Sequence, residues 1–138
     1  PHEHHQINSA TWYATALLIL AVVASPLAAS VGVMVLGLAD PTASLVGRRW
    51  GRILLKQGRS LEGSLAFLGI AWFSALAVLM QYGPPMSPGT LAVVAFGGAF
   101  SGTLAELFTG PVDDNFTIPL AAAFGVALVA LSLGIPGV

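Results

Sequence analysis

From Gly63 to Ala105 the chain carries no Asp, Glu, Lys, Arg or His, and the same is true from His5's neighbour Gln6 to Ala39. Uncharged runs of that length cannot cover the surface of a water-soluble domain. Only 8% of all residues are charged, where about 25% is usual for a soluble fold. Hydrophobic residues make up 56% and the mean hydropathy is +0.85. Hydrocarbon is the natural solvent for such a sequence, and in hydrocarbon every backbone N–H and C=O must be paired within its own segment or barrel. No run shows strand alternation, and all are rich in the Gly, Ala and Ser that let membrane helices approach closely. The expected fold is all-α: a polytopic membrane helical bundle that forms part of a larger one.

A span needs roughly 20 apolar residues, and about five stretches qualify. They run from Ala10 to Ser25 (short), Leu27 to Val46, Leu61 to Tyr82, Thr90 to Phe108 and Ile118 to Leu133. Ser25-Pro26 and the run from Gly83 to Gly89, with its three prolines, mark turns. Pro41 suggests a kink or restart in the second span, and Pro119 a place in the first turn of the fifth. All 138 residues read as one integral-membrane domain. The chain opens without Met or a signal-peptide pattern, so it reads as a fragment of a longer protein. With no cysteine, disulfides and thiolate metal sites are excluded.

All five basic residues, Arg48, Arg49, Arg52, Lys56 and Arg59, fall in one connection, between the second and third spans. The positive-inside rule places that connection in the cytoplasm. Five spans then put residues 1–9, 48–60 and 109–117 on the cytoplasmic side. Glu3, His4, His5, Asn8, Glu62, Asp113, Asp114 and Asn115 join the cations there, with Asp40 and Glu106 within about two turns of it. The opposite face carries no charge. A bacterial inner membrane or an endoplasmic-reticulum-type membrane is the expected location.

Each element of this face has a plain reading and a chemical one. The basic cluster can set topology and touch anionic headgroups. Yet Gly47 and Gly51 flank Arg48 and Arg49, allowing close backbone approach to a ligand, and arginine forks suit phosphate oxygens. Asp40 can pair with Arg48 or Arg49 at a helix end, but a carboxylate within a span is a functional candidate by default. Ser60 makes a good N-cap, with Glu62 suited to the helix dipole; the same N-terminus, beside Lys56 and Arg59, can seat a phosphate. Asp113, Asp114 and Asn115 can cap the fifth span, or with Glu106 offer Mg²⁺ its preferred oxygen ligands. His4 and His5 read as an exposed terminus. There is no G-x-x-x-x-G-K-(S/T) loop and no kinase Gly-rich loop, which excludes the soluble nucleotide folds. These residues support phosphate chemistry at a membrane, with a proton-relay or transport protein as the non-enzymatic alternative.

The stretch Leu38-Ala39-Asp40-Pro41-Thr42-Ala43-Ser44-Leu45-Val46-Gly47-Arg48-Arg49-Trp50-Gly51 resembles the (G/A)-D-x-x-A-x-x-x-G-(R/K)-x-x-G signature of the CTP-dependent lipid kinases. That family includes dolichol kinase, phytol kinase and yeast-type diacylglycerol kinase, with phosphatidate cytidylyltransferase as a distant relative. Gly58-Arg59-Ser60-Leu61-Glu62-Gly63-Ser64 is similar to its K-S-x-E-G-(S/T) element, with Arg59 in place of the usual lysine. Asp113-Asp114-Asn115-Phe116-Thr117-Ile118-Pro119-Leu120 is similar to its D-N-(L/F)-T-(I/V)-P element. Residues Glu3 to Thr11 resemble the segment before a span in bacterial members. The family carries further spans upstream, and a polar or small residue commonly stands where Pro41 does.

The resemblance implies CTP as phosphoryl donor, dependence on Mg²⁺ and a membrane lipid alcohol as acceptor: a polyprenol or dolichol, phytol, or diacylglycerol. It implies catalytic roles for Asp40, Glu62 and Asp114. Nucleotide contacts are implied for Gly47, Arg48, Arg49, Gly51, Arg52, Lys56, Arg59, Ser60 and Gly63. The implied metal set is Asp40, Glu106, Asp113, Asp114 and Asn115. CTP and a lipid are the expected partners, with no nucleic acid; homo-oligomerisation is left open. A cytidylyltransferase that makes a CDP-lipid and releases pyrophosphate would use the same ligands.

Overall fold

A computed structural model describes residues 8–55, 58–108 and 112–138, and among these all regular elements are helices. They are α1 (Ser9–Val23), α2 (Pro26–Trp50), α3 (Leu61–Tyr82), α4 (Pro88–Phe108) and α5 (Asp114–Ser132). Polar side chains start each helix. Asn8 accepts from the Ala10 amide, Ser25 from Ala28, Ser60 from Gly63, Ser87 from Thr90 and Asp113 from Asn115. Each cap satisfies an amide that would otherwise lack a partner in the first turn. At the end of α5, Gly134 takes φ +68°, and Ile135 N–H reaches back to the Ala130 carbonyl at 2.9 Å. That is a Schellman stop, which needs a residue tolerant of positive φ.

Helices α2 to α5 are long and apolar enough to cross a membrane. At 15 residues α1 extends only about 22 Å, short of a hydrocarbon core about 30 Å thick. α2 packs along α3 and α5, α4 along α3 and α5, and α1 rests chiefly on α5. Small side chains set the spacing. An added Cβ on Gly63 would lie 3.3 Å from Gly47 Cα and 3.0 Å from the Ala43 carbonyl oxygen, so α2 and α3 nearly touch there. Gly97 and Gly125 form a similar approach between α4 and α5, and Gly32 lies against the Pro119 carbonyl. Val35, Ala39, Phe67, Ala99, Ile118 and Val126 are fully buried between the helices. Trp72 ties α3 to α4 by donating its indole N–H to the Ala92 carbonyl at 3.0 Å.

The structure narrows two expectations about proline. α2 does not restart at Pro41; it continues to Trp50 with the proline inside it. The extra length places Arg48 and Arg49 in its last helical turn, where cations suit the dipole, rather than in the loop. α5 begins at Asp114, four residues before the expected Ile118, so Pro119 sits in its second turn. The chain tolerates both prolines because neighbouring helices hold these segments in place.

Candidate active site

The α2–α3 connection is short and internally bonded. Leu61 N–H donates to the Ile53 carbonyl at 2.9 Å and Leu55 N–H to the Arg59 carbonyl at 2.7 Å, with Gly58 at φ +75° in the turn. This pairing fixes the backbone of Arg59 and aims its side chain into the bundle end. There Nη1 donates to Glu106 Oε1 on α4, and Nη2 to Asp114 Oδ2 on α5 at 2.6 Å. Ser64 on α3 donates its hydroxyl to the other Glu106 oxygen at 3.1 Å. One arginine therefore joins three chain segments. Burial works against its charge, but the hydrogen bonds and fields of Asp114 and Glu106 outweigh that and hold the guanidinium protonated more firmly than usual.

Beside this network lies a cavity of about 410 Å³. Ala43, Ser44, Gly47 and Arg48 of α2 line one side, Ser60 and Gly63 another, with Leu54, Gly58, Arg59 and Glu106 completing it. The glycines let α2 and α3 meet at the cavity wall; an added Cβ on Gly47 would lie 3.0 Å from Ser60 Oγ. Gly51 caps α2, and an added Cβ would meet the Gly47 carbonyl oxygen and, at 2.8 Å, Ser60 Oγ. Its part is close packing, and Ser60 does double duty as the α3 cap. Among the nucleotide candidates, Gly47, Arg48, Arg59, Ser60 and Gly63 converge on one cavity. Arg49 and Arg52 are exposed and do not line it; Arg49 lies over the Trp50 ring, 5.3 Å from its centroid. Lys56 lies outside the described residues, as do Glu3, His4 and His5.

The carboxylates divide by what their oxygens already hold. Asp113 Oδ1 accepts from the Asn115 amide at 2.9 Å and its side-chain N–H at 2.7 Å, and Oδ2 accepts from Ser9 at 2.5 Å. Burial would raise its pKa, but these bonds hold it below the ordinary value. Asp113 thus caps α5 and pins α1 to it, helped by Trp12 against Phe116, 5.3 Å between ring centroids. Both Glu106 oxygens are engaged as well. Glu62 stands apart, its Oε2 accepting a 3.4 Å contact from Ile53 N–H. Asp114 Oδ1 is different, a buried carboxylate oxygen with no hydrogen-bond partner. Asp40 makes no hydrogen bond or ion pair among the described residues. It lies close enough to Asp114, Arg59, Glu106 and Asp113 to feel their charges. The plain reading of Asp40, a pairing with Arg48 or Arg49, is not formed.

Among the described residues no three Asp, Glu or His side chains gather as a cation site. The five-residue metal set is therefore not assembled as one cluster, because Arg59 stands between Glu106 and Asp114. Asp40 instead lines a second cavity, of about 280 Å³, with Tyr13, Leu36, Gly37, Pro41 and Asn115. Ser9, Ser64 and Tyr13 were not assigned roles from sequence. Ser9 and Ser64 fall within the family-like strings, which was a usable signal; nothing in the sequence singled out Tyr13.

Over 94% of its length the chain is 31% identical to the CTP-dependent diacylglycerol kinase 1 of Eremothecium gossypii, of which it covers 47%. Over 71% of its length it is 34% identical to the phytol kinase of a Synechocystis species, of which it covers 42%. The chain thus spans about half the length of the curated relatives it matches. No family model matches it, and no solved structure does.

Proposed function

We propose that this chain, which belongs to the CTP-dependent lipid kinase family, carries the site at which the terminal phosphoryl group of CTP passes to the hydroxyl of a membrane lipid. The observation that carries this reading is the Arg59 bridge to Glu106 and Asp114 at the rim of a glycine-sided cavity, with Arg48 in the same wall. Phosphoryl transfer asks a protein mainly for positioning and charge stabilisation. Arg48 and Arg59 place cationic charge in the cavity wall, where it can offset phosphate charge, and Gly47 and Gly63 hold α2 and α3 close enough to shape that wall.

In the proposed reaction the acceptor oxygen forms a bond to the γ-phosphorus while the bond from that phosphorus to the β–γ bridging oxygen breaks. CDP leaves, and the hydroxyl proton passes to Asp40. Mg²⁺ takes one or two carboxylates and completes its shell with water and substrate phosphates. The partnerless Oδ1 of Asp114 fits that demand, and Asp40, with no hydrogen bond or ion pair among the described residues, is a second candidate. Bound there, Mg²⁺ would offset phosphate charge. Asp113 and Glu106 then act as the cap and the arginine anchor around them.

The basic residues at one end of α2 and in the loop after it support a cytoplasmic site. The acceptor class is a lipid alcohol: polyprenol, dolichol, phytol or diacylglycerol. The test is an assay of the protein in membranes with CTP, Mg²⁺ and a panel of these alcohols. A phosphorylated lipid is expected from at least one of them, and no product from any would refute the reading.

A further inference from the structure

The two cavities open along one stripe of α2. Leu36, Gly37, Asp40 and Pro41 line the smaller, and Ala43, Ser44, Gly47 and Arg48 line the larger. At 3.6 residues per turn these sets share a side of the helix, with Asp40 and Gly47 about 10 Å apart along its axis. The larger cavity sits at the charged helix end. The smaller lies about two turns deeper along an apolar helix, between α1, α2 and α5.

Pro41 determines the chemistry of the smaller cavity. It has no amide hydrogen, so the Gly37 carbonyl loses the donor that a continuous helix would give it. Gly37 has only backbone to offer the cavity it lines, and an added Cβ there would meet nothing within 4 Å. Gly37 is exposed, so the space over its backbone is open, and its carbonyl lacks its helical partner. Asp40 lines the same space and has no partner of its own among the described residues.

Both groups accept hydrogen bonds, and one is anionic. The Asp40 carboxylate disfavours a phosphate or another carboxylate; an O–H donor can share its one proton between the two acceptors. At about 280 Å³ the cavity is also smaller than the roughly 300–1,000 Å³ usual for a whole drug-sized ligand. It suits the hydroxyl end of a longer molecule. Leu36 and the rings of Tyr13 and Pro41 give that molecule an apolar path.

We infer that this cavity receives the acceptor: the hydroxyl of a long-chain lipid alcohol sits between the Gly37 carbonyl and the Asp40 carboxylate. Gly37 and Pro41 are its positioning residues, with Tyr13 beside the first carbons. The inference rests on the kinase reading for the fate of the hydroxyl, but not for its binding.

The test combines kinetics with a label that needs no turnover. Pro41→Ala restores the amide that pairs the Gly37 carbonyl, and removes a helix-interior proline, so folding is not at risk. Gly37→Leu fills the open space, and Gly37→Ala fills it in part. Each variant should raise KM for the alcohol, about threefold to tenfold for Pro41→Ala, the worth of one hydrogen bond, and leave KM for CTP unchanged. In parallel, a long-chain alcohol with a diazirine beside its hydroxyl is photolysed in membranes holding the wild-type protein. Crosslinks at Tyr13, Leu36 and Gly37, reduced by Gly37→Leu, are expected. Crosslinks spread over lipid-facing residues, with alcohol KM within twofold of wild type in the variants, would overturn the inference while leaving an active kinase. Crosslinks in the cavity with no phosphoryl transfer to any alcohol would keep the pocket and remove the kinase reading.

Discussion

Arg59 donates to Asp114 Oδ2 at 2.6 Å, linking the loop after α2 to the first turn of α5. The same guanidinium holds Glu106, whose residue is only 3% exposed, so the fork meets one carboxylate on each of two helices. Lysine, with a compact ammonium, could not reproduce that geometry. The network fixes the open ends of α3, α4 and α5 relative to one another, and it stands next to the cavity proposed for the nucleotide phosphates.

Replacing Arg59 by Ala should leave the Glu106 carboxylate buried without its cation. With the arginine one-fifth exposed, a loss of about 2–4 kcal/mol is expected, somewhat below the usual cost of breaking a buried pair. Arg59→Lys should lose about 1–2 kcal/mol, having kept charge and lost the fork. Unfolding in mixed micelles with rising denaturing detergent measures both, and equal losses for the two variants would contradict the fork.

Gly63→Ala should press α2 away from α3. Its Cβ would lie 3.0 Å from the Ala43 carbonyl and 3.3 Å from Gly47 Cα, both backbone atoms that cannot rotate aside. Overpacking of this kind costs about 1–3 kcal/mol. Thermal stability in detergent reads the effect, and Gly69→Ala, where an added Cβ meets nothing, should fall within about 0.5 kcal/mol of wild type.

Asp114→Asn should raise the Mg²⁺ concentration needed for half-maximal activity by about 10–100-fold, since Oδ1 is the uncommitted oxygen of the pair. A chelator should abolish wild-type activity, and added Mg²⁺ should restore it. An unchanged Mg²⁺ requirement in the variant would remove Asp114 from the metal.

Asp40→Asn keeps shape and removes the proton acceptor. Turnover should fall by about 10²–10⁴-fold. Stability should hold or rise, because Asp40 has no ion pair among the described residues and lies within range of three other carboxylates. Activity within threefold of wild type would show that Asp40 does not receive the proton.

The bundle was legible because uncharged runs at membrane length leave few alternatives, and because Ser60 and Asp113 announce helix starts. Proline was a poor guide to helix bounds: α2 runs on through Pro41 without a restart, and α5 starts at Asp114, four residues before the expected Ile118. The convergence of Gly47, Arg48, Arg59, Ser60 and Gly63 followed from motifs that keep these residues near helix ends. What sequence could not show was which carboxylate already had a partner. Asp113, Asp114 and Glu106 look alike as letters; only the positions of Ser9, Ser64 and Arg59 separate a cap and an anchor from an uncommitted oxygen. Tyr13 was invisible because its relation to Asp40 depends on how α1 lies against α2 and α5.

The most direct test follows the phosphorus atoms of CTP. Membranes holding the protein are given a lipid alcohol, Mg²⁺ and CTP labelled either at the α- or at the γ-phosphorus. The kinase account predicts γ-label in the lipid and α-label in CDP. Alpha-label in the lipid with release of pyrophosphate, or no label in the lipid from either nucleotide, would contradict it.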